Sequence, residues 1–215
     1  MPKPLPTSVR THFTALRMLL VLTVICGLAY PLLVTGISQV AFTEKANGSI
    51  VTSDGKEIGS SLLGQNYNLP KKTPSDSTTG NDPKEQAQPD PKWFQPRPSA
   101  ANYDPHGSTA SNLGPNSDDL LKAVNDRRAA AAAFDGVDPA AVPVDALTAS
   151  GSGLDPHISV AYAKEQVARV AKARNISVDT LNGLVAKYTE GRSLGFLGEA
   201  GVNVVLLNKA VSETK

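Results

Sequence analysis

From Met18 to Thr43 the chain runs for 26 residues without an Asp, Glu, Lys or Arg, and no other feature constrains its fold as strongly. As an α-helix this stretch is about 39 Å long. The hydrocarbon core of a bilayer is ~30 Å thick, so the stretch spans it with some tilt or frayed ends. Pro31 and Gly36 interrupt it. Membrane helices tolerate such breaks when neighbouring groups satisfy the freed carbonyls, which points to a packing partner in the membrane. The first 17 residues carry Lys3, Arg10 and Arg17 and no acid. The positive-inside rule therefore predicts a cytoplasmic N-terminus, with everything after Phe42 outside. Two other readings fit less well. A cleaved signal peptide needs a shorter apolar run and a small-x-small site, and Gln39 spoils Ser38-Gln39-Val40-Ala41. A lipoprotein needs a small residue before its Cys, whereas Ile25 precedes Cys26. Cys26 reads as a small apolar residue within the span.

The remaining composition excludes several classes of function. Lys+Arg 21 against Asp+Glu 20 gives a net charge of +1, too little for a general nucleic-acid binder, which needs a basic surplus against phosphate. A single Cys rules out an internal disulfide framework and a Cys-based zinc site, and three His leave little for a metal centre.

Beyond the anchor, the pattern predicts an α+β extracytoplasmic domain on a single N-terminal transmembrane helix. The expected division is a cytoplasmic N-terminus 1–17, the anchor 18–43, a hairpin start 44–69, a disordered polar insertion 70–92 and the remainder of the domain 93–215. Asp54-Gly55 between two short apolar runs is a two-residue hairpin turn. From Pro70 to Lys92 Ala87 is the only hydrophobic residue and five prolines recur, so ordering the segment buries little apolar surface; a proline-rich docking motif is the alternative. Residues 101–116 read as an ordered loop. A helix is expected from Asp118 to Phe134, with Ser117 as N-cap, Asp118 and Asp119 at the positive dipole end and Gly136 as stop. A second runs from Val160 to Arg174 behind Ser159, burying Ala163, Val167, Val170 and Ala171. A third runs from Val178 to Tyr188 behind Ser177, with Leu181, Leu184, Val185 and Tyr188 on one face. Val202 to Leu207 is β-branched and apolar and reads as a buried strand, with a short terminal helix through Val211.

Catalytic signatures are missing: there is no Gly-x-Ser-x-Gly, no Walker A pattern and no His-Glu-x-x-His. Asp155, His157, Ser150 and Ser152 suggest a triad only on paper, because residues so close in sequence seldom let the base bridge nucleophile and acid. His106 and His157, with Asp104 and Asp155, form a similarly thin metal pair; the simpler reading of each Asp-Pro-His is an Asp-capped turn. No catalytic or metal residue is assigned. The densest unusual stretch is Thr148 to Ser159. Its Ser150, Gly151, Ser152, Gly153, Leu154, Asp155, Pro156 and His157 read as a partner-contact loop, since small residues allow close backbone approach and successive N–H groups cradle an anion or carbonyl. A plain linker and a small-molecule site are the alternatives.

On these residues the sequence resembles the C subunit of the bacterial Kdp potassium-transporting P-type ATPase, the KdpC family. The resemblance rests on Leu-Ala-Tyr-Pro-Leu at 28–32, Thr35-Gly36, the run from Gly59 to Gln65, Arg97-Pro98-Ser99-Ala100 and Ser111-Asn112-Leu113-Gly114-Pro115. It continues through Thr148–Ser159, Gln166, Arg169-Val170-Ala171, Ala173-Arg174, Leu197-Gly198-Glu199 and Val202-Asn203-Val204. It departs at the polar insertion and at Ala200-Gly201, where Pro-Arg is expected. The resemblance implies a non-catalytic subunit of a pump. Its partners are a potassium-selecting channel-like subunit, a P-type ATPase subunit that hydrolyses ATP, and a small accessory peptide. The family is described as a catalytic chaperone that raises the pump's ATP affinity, with Ser61, Gly64 and Gln65 as weak nucleotide-signature candidates. ATP is thus an implied cofactor and potassium the transported ion. The charge rule places the domain away from cytoplasmic ATP, which favours assembly of the complex and shaping of the extracellular potassium entrance. A membrane-anchored extracytoplasmic hydrolase or binding module is the alternative.

Overall fold

Pro31 shapes the first part of the molecule. Its ring has no N–H to give and crowds the carbonyl four residues earlier, at Gly27. In the computed structural model, which describes residues 6–70 and 88–214, the helix before it widens accordingly. Helix α1 (Thr7–Leu22) passes into a π-helical segment, Thr23–Ala29, and continues as α2 (Tyr30–Ala41). The Tyr30 N–H reaches back to the Ile25 carbonyl, five residues away, and this wider turn eases the ring past the backbone. The whole rod, Thr7–Ala41, is the one helix among the described residues long and apolar enough to cross a membrane. It starts well before the expected residue 18, because Arg10 and Arg17 break the apolar run without breaking the helix. A short α3 (Thr43–Ala46) follows. Residues 1–49 form one compact unit and Ile50–Lys215 a second.

The second unit is a mixed helix and sheet domain. Strands β1 (Ile50–Ser53) and β2 (Lys56–Ser60) make the expected hairpin. Asp54 and Gly55 both have positive φ, at 49° and 75°, as a right-twisting two-residue turn requires. Helix α4 (Asp118–Asp135) begins at Ser117, whose hydroxyl accepts from the Leu120 N–H, and stops at left-handed Gly136. The short α5 (Val144–Leu147) went unpredicted. After β3 (His157–Ser159) come α6 (Val160–Arg174) and α7 (Val178–Lys187), capped by Ser159 and Ser177 as expected. Strand β4 (Thr189–Glu190) and β5 (Gly201–Asn203) complete an antiparallel sheet of order β3-β5-β4, with Ile158 opposite Val202.

The predicted strand Val202–Leu207 needs correction. Only Gly201–Asn203 is extended, and α8 (Val204–Glu213) takes over. The switch is Asn203, whose side-chain oxygen accepts from the N–H groups of both Val205 and Leu206. An N-cap inside a β-branched run overrides the strand preference of its neighbours.

The core joins Ile158 and Val202 of the sheet to Ala163, Val167 and Val170 of α6, Leu181 and Val185 of α7, Leu207 and Val211 of α8, and Phe94. Phe94 and Gln95 cross it without belonging to any strand. Asn208 accepts from the Phe94 N–H and donates to the Phe94 carbonyl, both at 2.9 Å. Gln166 does the same for Gln95, at 2.6 and 3.1 Å. Two helix side chains thus supply the partners that a neighbouring strand would.

Beside them lies Arg169, a charged side chain that the core admits because each of its three nitrogens donates a hydrogen bond. Its Nε donates to Asp135 at 2.6 Å, Nη1 to the carbonyls of Pro91 and Trp93, and Nη2 to Gln166. Its guanidinium also covers the Phe134 ring. Burial raises the Asp135 carboxyl above its ordinary value, and Arg169 offsets part of that. Arg174 donates to the Lys92 carbonyl and stacks on Trp93. The end of the expected disordered insertion 70–92 is therefore held: Gln88 and Asp90 pair with Leu69 and Tyr67, and Pro91 and Lys92 serve as acceptors for α6. Residues 71–87 of that segment lie outside the described residues.

Candidate functional site

The glycine-rich stretch expected to contact a partner is sewn into its own domain. Ser150 is buried; its N–H donates to the Pro98 carbonyl, and its hydroxyl accepts from the Gly153 N–H at 2.8 Å. The Ser152 carbonyl accepts from the Thr109 N–H and the Ser108 hydroxyl. The Gly153 carbonyl accepts from Ser99 at 2.6 Å, and the Leu154 carbonyl from the Gly64 N–H at 2.8 Å. The Pro156 carbonyl accepts from Val204 at the start of α8. Two glycines are present for space. A Cβ on Gly153, which sits at φ +70°, would lie 2.7 Å from both Ala101 Cβ and the Thr109 carbonyl oxygen. One on Gly64 would fall on the Tyr103 ring and 2.7 Å from the Asp155 carbonyl oxygen. Only Gly151 and Ser152 of the loop are exposed.

The electrostatics follow from this packing. Arg97 reaches Asp155 at 3.3 Å and the Thr148 carbonyl at 3.4 Å. Burial alone would raise Asp155, but hydrogen bonds from His157 and the Arg97 charge outweigh it and hold the carboxyl below its ordinary range. His157 lies 3.6 Å from Asp155 through Nδ1 and 3.6 Å from Glu190 on β4 through Nε2. The neighbouring Asp155 carboxylate, with the Glu190 charge, raises its pKa against the opposing effect of burial. The Tyr103 hydroxyl donates to the Arg97 carbonyl, and burial with the nearby Asp155 pushes its pKa up.

The Ser152 hydroxyl accepts from the Leu154 N–H and the Ser150 hydroxyl from the Gly153 N–H, so each helps to shape the loop. The Asp-Pro-His repeats are turns: Asp155 accepts from the His157 N–H and Asp104 from the His106 N–H, each at 2.9 Å. Among the described residues, no group of three or more His, Cys, Asp or Glu is placed to hold a metal ion. The nucleotide-signature candidates belong to the same clasp. Gly64 spends its N–H on Leu154, Gln65 donates its side-chain amide to the Ile58 carbonyl at 2.7 Å, and the Ser61 carbonyl accepts from Asn203 at 2.8 Å.

Segments distant in sequence therefore meet at one place: 59–65, 97–109, 148–157 and 201–204. The family model described as the K+-transporting ATPase c chain matches residues 12–213. The chain belongs to the KdpC family. Relatives named potassium-transporting ATPase KdpC subunit include one from Kineococcus radiotolerans, 49% identical over 96% of this chain and 95% of the relative. One from Streptomyces avermitilis is 44% identical over 96% and 95%, and one from Mycobacterium tuberculosis 46% identical over 94% and 97%. The match takes in both compact units, so the apolar helix belongs to the family pattern as much as the clasp does. Sequence reasoning named Arg97 and Ser99 only as part of the family resemblance and gave no role to them, to Tyr103 or to Thr109, which build the clasp with them. Their signal was the high density of Pro, Asn, Gly and Ser between 96 and 116, which marks a shaped loop without naming what it wraps.

Proposed function

We propose that this chain is a non-catalytic accessory subunit of a potassium-transporting ATPase, single-pass in the cell membrane, with its N-terminus cytoplasmic and its mixed domain outside. There it stabilises the assembled pump and shapes the potassium entrance. Its partners are a potassium-selecting channel-like subunit, a P-type ATPase subunit that hydrolyses ATP, and a small accessory peptide, with bilayer lipid around the anchor. The exposed crest Gly151–Ser152 of the clasp is the part of the loop offered to a partner. The observation that carries the placement is the charge about the span: Lys3, Arg10 and Arg17 stand before it without an acid, whereas Glu44 and Lys45 cancel after it. An effect on ATP affinity then acts through the assembled complex. The internal engagement of Gly64 and Gln65 supports that indirect route.

A cysteine introduced as Ser212→Cys, on exposed α8 surface, in a Cys26→Ala background tests the placement. It is expected to react with a membrane-impermeant thiol reagent on intact cells that have no outer barrier. Labelling only after lysis would reverse the topology and restore a direct nucleotide role.

A further inference from the structure

Residues 191–200, which join β4 to β5, are all exposed, yet they are tightly built. Ser193 and Leu197 exchange two backbone hydrogen bonds of 2.9 Å, closing a three-residue tip of Leu194, Gly195 and Phe196. Leu194 takes a positive φ of 54° and Gly195 one of 83°. A left-handed Leu is unfavourable, and no burial among the described residues rewards it: Leu194 is 83% exposed, Phe196 70% and Leu197 50%. Three large apolar side chains within four residues are thus held outward by a closed turn. Scattered exposed apolar residues are ordinary on protein surfaces; a fixed cluster marks an interaction site.

The occupant follows from charge and shape. Glu190, Arg192 and Glu199 give the segment 190–199 a net charge of −1. An anionic lipid surface draws in basic segments, and this one has no basic surplus. A small convex knob with a central aromatic suits a concave apolar pocket on a protein, where such anchors dominate binding. We propose that the β4–β5 tip is a plug that seats Leu194 and Phe196 in an apolar pocket of another subunit of the same ATPase. This rests on the reading of the chain as a subunit that assembles with others.

The test co-expresses the full-length chain, tagged, with the other subunits and purifies it in mild detergent. Leu194→Ser with Phe196→Ser is expected to lower the recovered partner subunits at least tenfold, while the melting temperature of the chain stays within about 2 °C, since both side chains are largely exposed. Recovery within twofold of the native chain would overturn the proposal. If the native chain itself recovers no partner, the accessory-subunit reading fails and this proposal with it. A second measurement holds even if the double variant folds poorly. A benzophenone side chain in place of Phe196, in the otherwise native chain, is expected to crosslink on illumination to a partner polypeptide. Adducts to lipid alone, or none, would overturn the plug.

Discussion

Two glycine-containing loops are put to opposite use. The clasp, from Thr148 to Ser159, turns its backbone inward and is bonded on every side to 97–109 and 61–65. The β4–β5 tip, 191–200, is closed only on itself and turns its side chains outward. Gly153 is needed for both its positive φ and its missing Cβ. Gly195 and Gly198 also have positive φ, but a Cβ on either would meet nothing within 4 Å. Gly151 has neither constraint. Glycine content therefore identifies neither flexibility nor contact. What distinguishes the loops is whether the space beside the glycine is filled, and by which part of the molecule.

Valine substitutions at these positions measure that difference directly. Gly153→Val combines left-handed strain with insertion of a branched side chain into backbone and Ala101, and should cost about 3–4 kcal/mol. Gly195→Val carries only the backbone strain, about 1–2 kcal/mol, and Gly151→Val should lie within ~0.5 kcal/mol of native. Denaturant unfolding of the three variants checks the order. Equal losses at 153 and 195 would mean that the clasp yields to added bulk, and the contrast between the loops would disappear.

The smaller effect concerns His157, which lies within the clasp beside Asp155 and reaches Glu190 on β4, just before the tip. Its pKa is raised in the folded state, so protonation stabilises the fold. That contribution is fully present below the ordinary His value and fades as pH rises through the raised one. His157→Gln should therefore lower the melting temperature at pH 5.5 by a degree or two, and by less at pH 8.5. Because the ring is 38% exposed, solvent screening keeps the effect below ~1 kcal/mol. A loss independent of pH would reduce His157 to packing.

Devices that operate within a few residues are legible in the sequence. Ser117, Ser159 and Ser177 each cap the helix that follows them, Asp54-Gly55 turns the hairpin, and both Asp-Pro-His sequences make Asp-capped turns. What escapes a sequence reading depends on distant partners. Arg169 reads as a surface cation until Asp135, Pro91 and Trp93 close around it. The space beside Gly153 is set by Ala101 and Thr109, some fifty residues away. Asn203 is hidden for a different reason: a strand-forming run outweighs one capping side chain. The anchor is legible as an apolar run, though its helix extends further, since hydropathy locates where lipid fits and not where hydrogen bonds begin.

The paired amides of Asn208 and Gln166 have a consequence for isotope exchange. A backbone N–H in an irregular segment ordinarily exchanges its proton for solvent deuterium through small local fluctuations. The Phe94 and Gln95 N–H groups are fixed by side chains of α8 and α6, in the interior, so releasing either requires the helices to part. These two protons should exchange as slowly as those at the centre of α6, and a deuterium map would colour this strandless crossing as one of the last places in the domain to open.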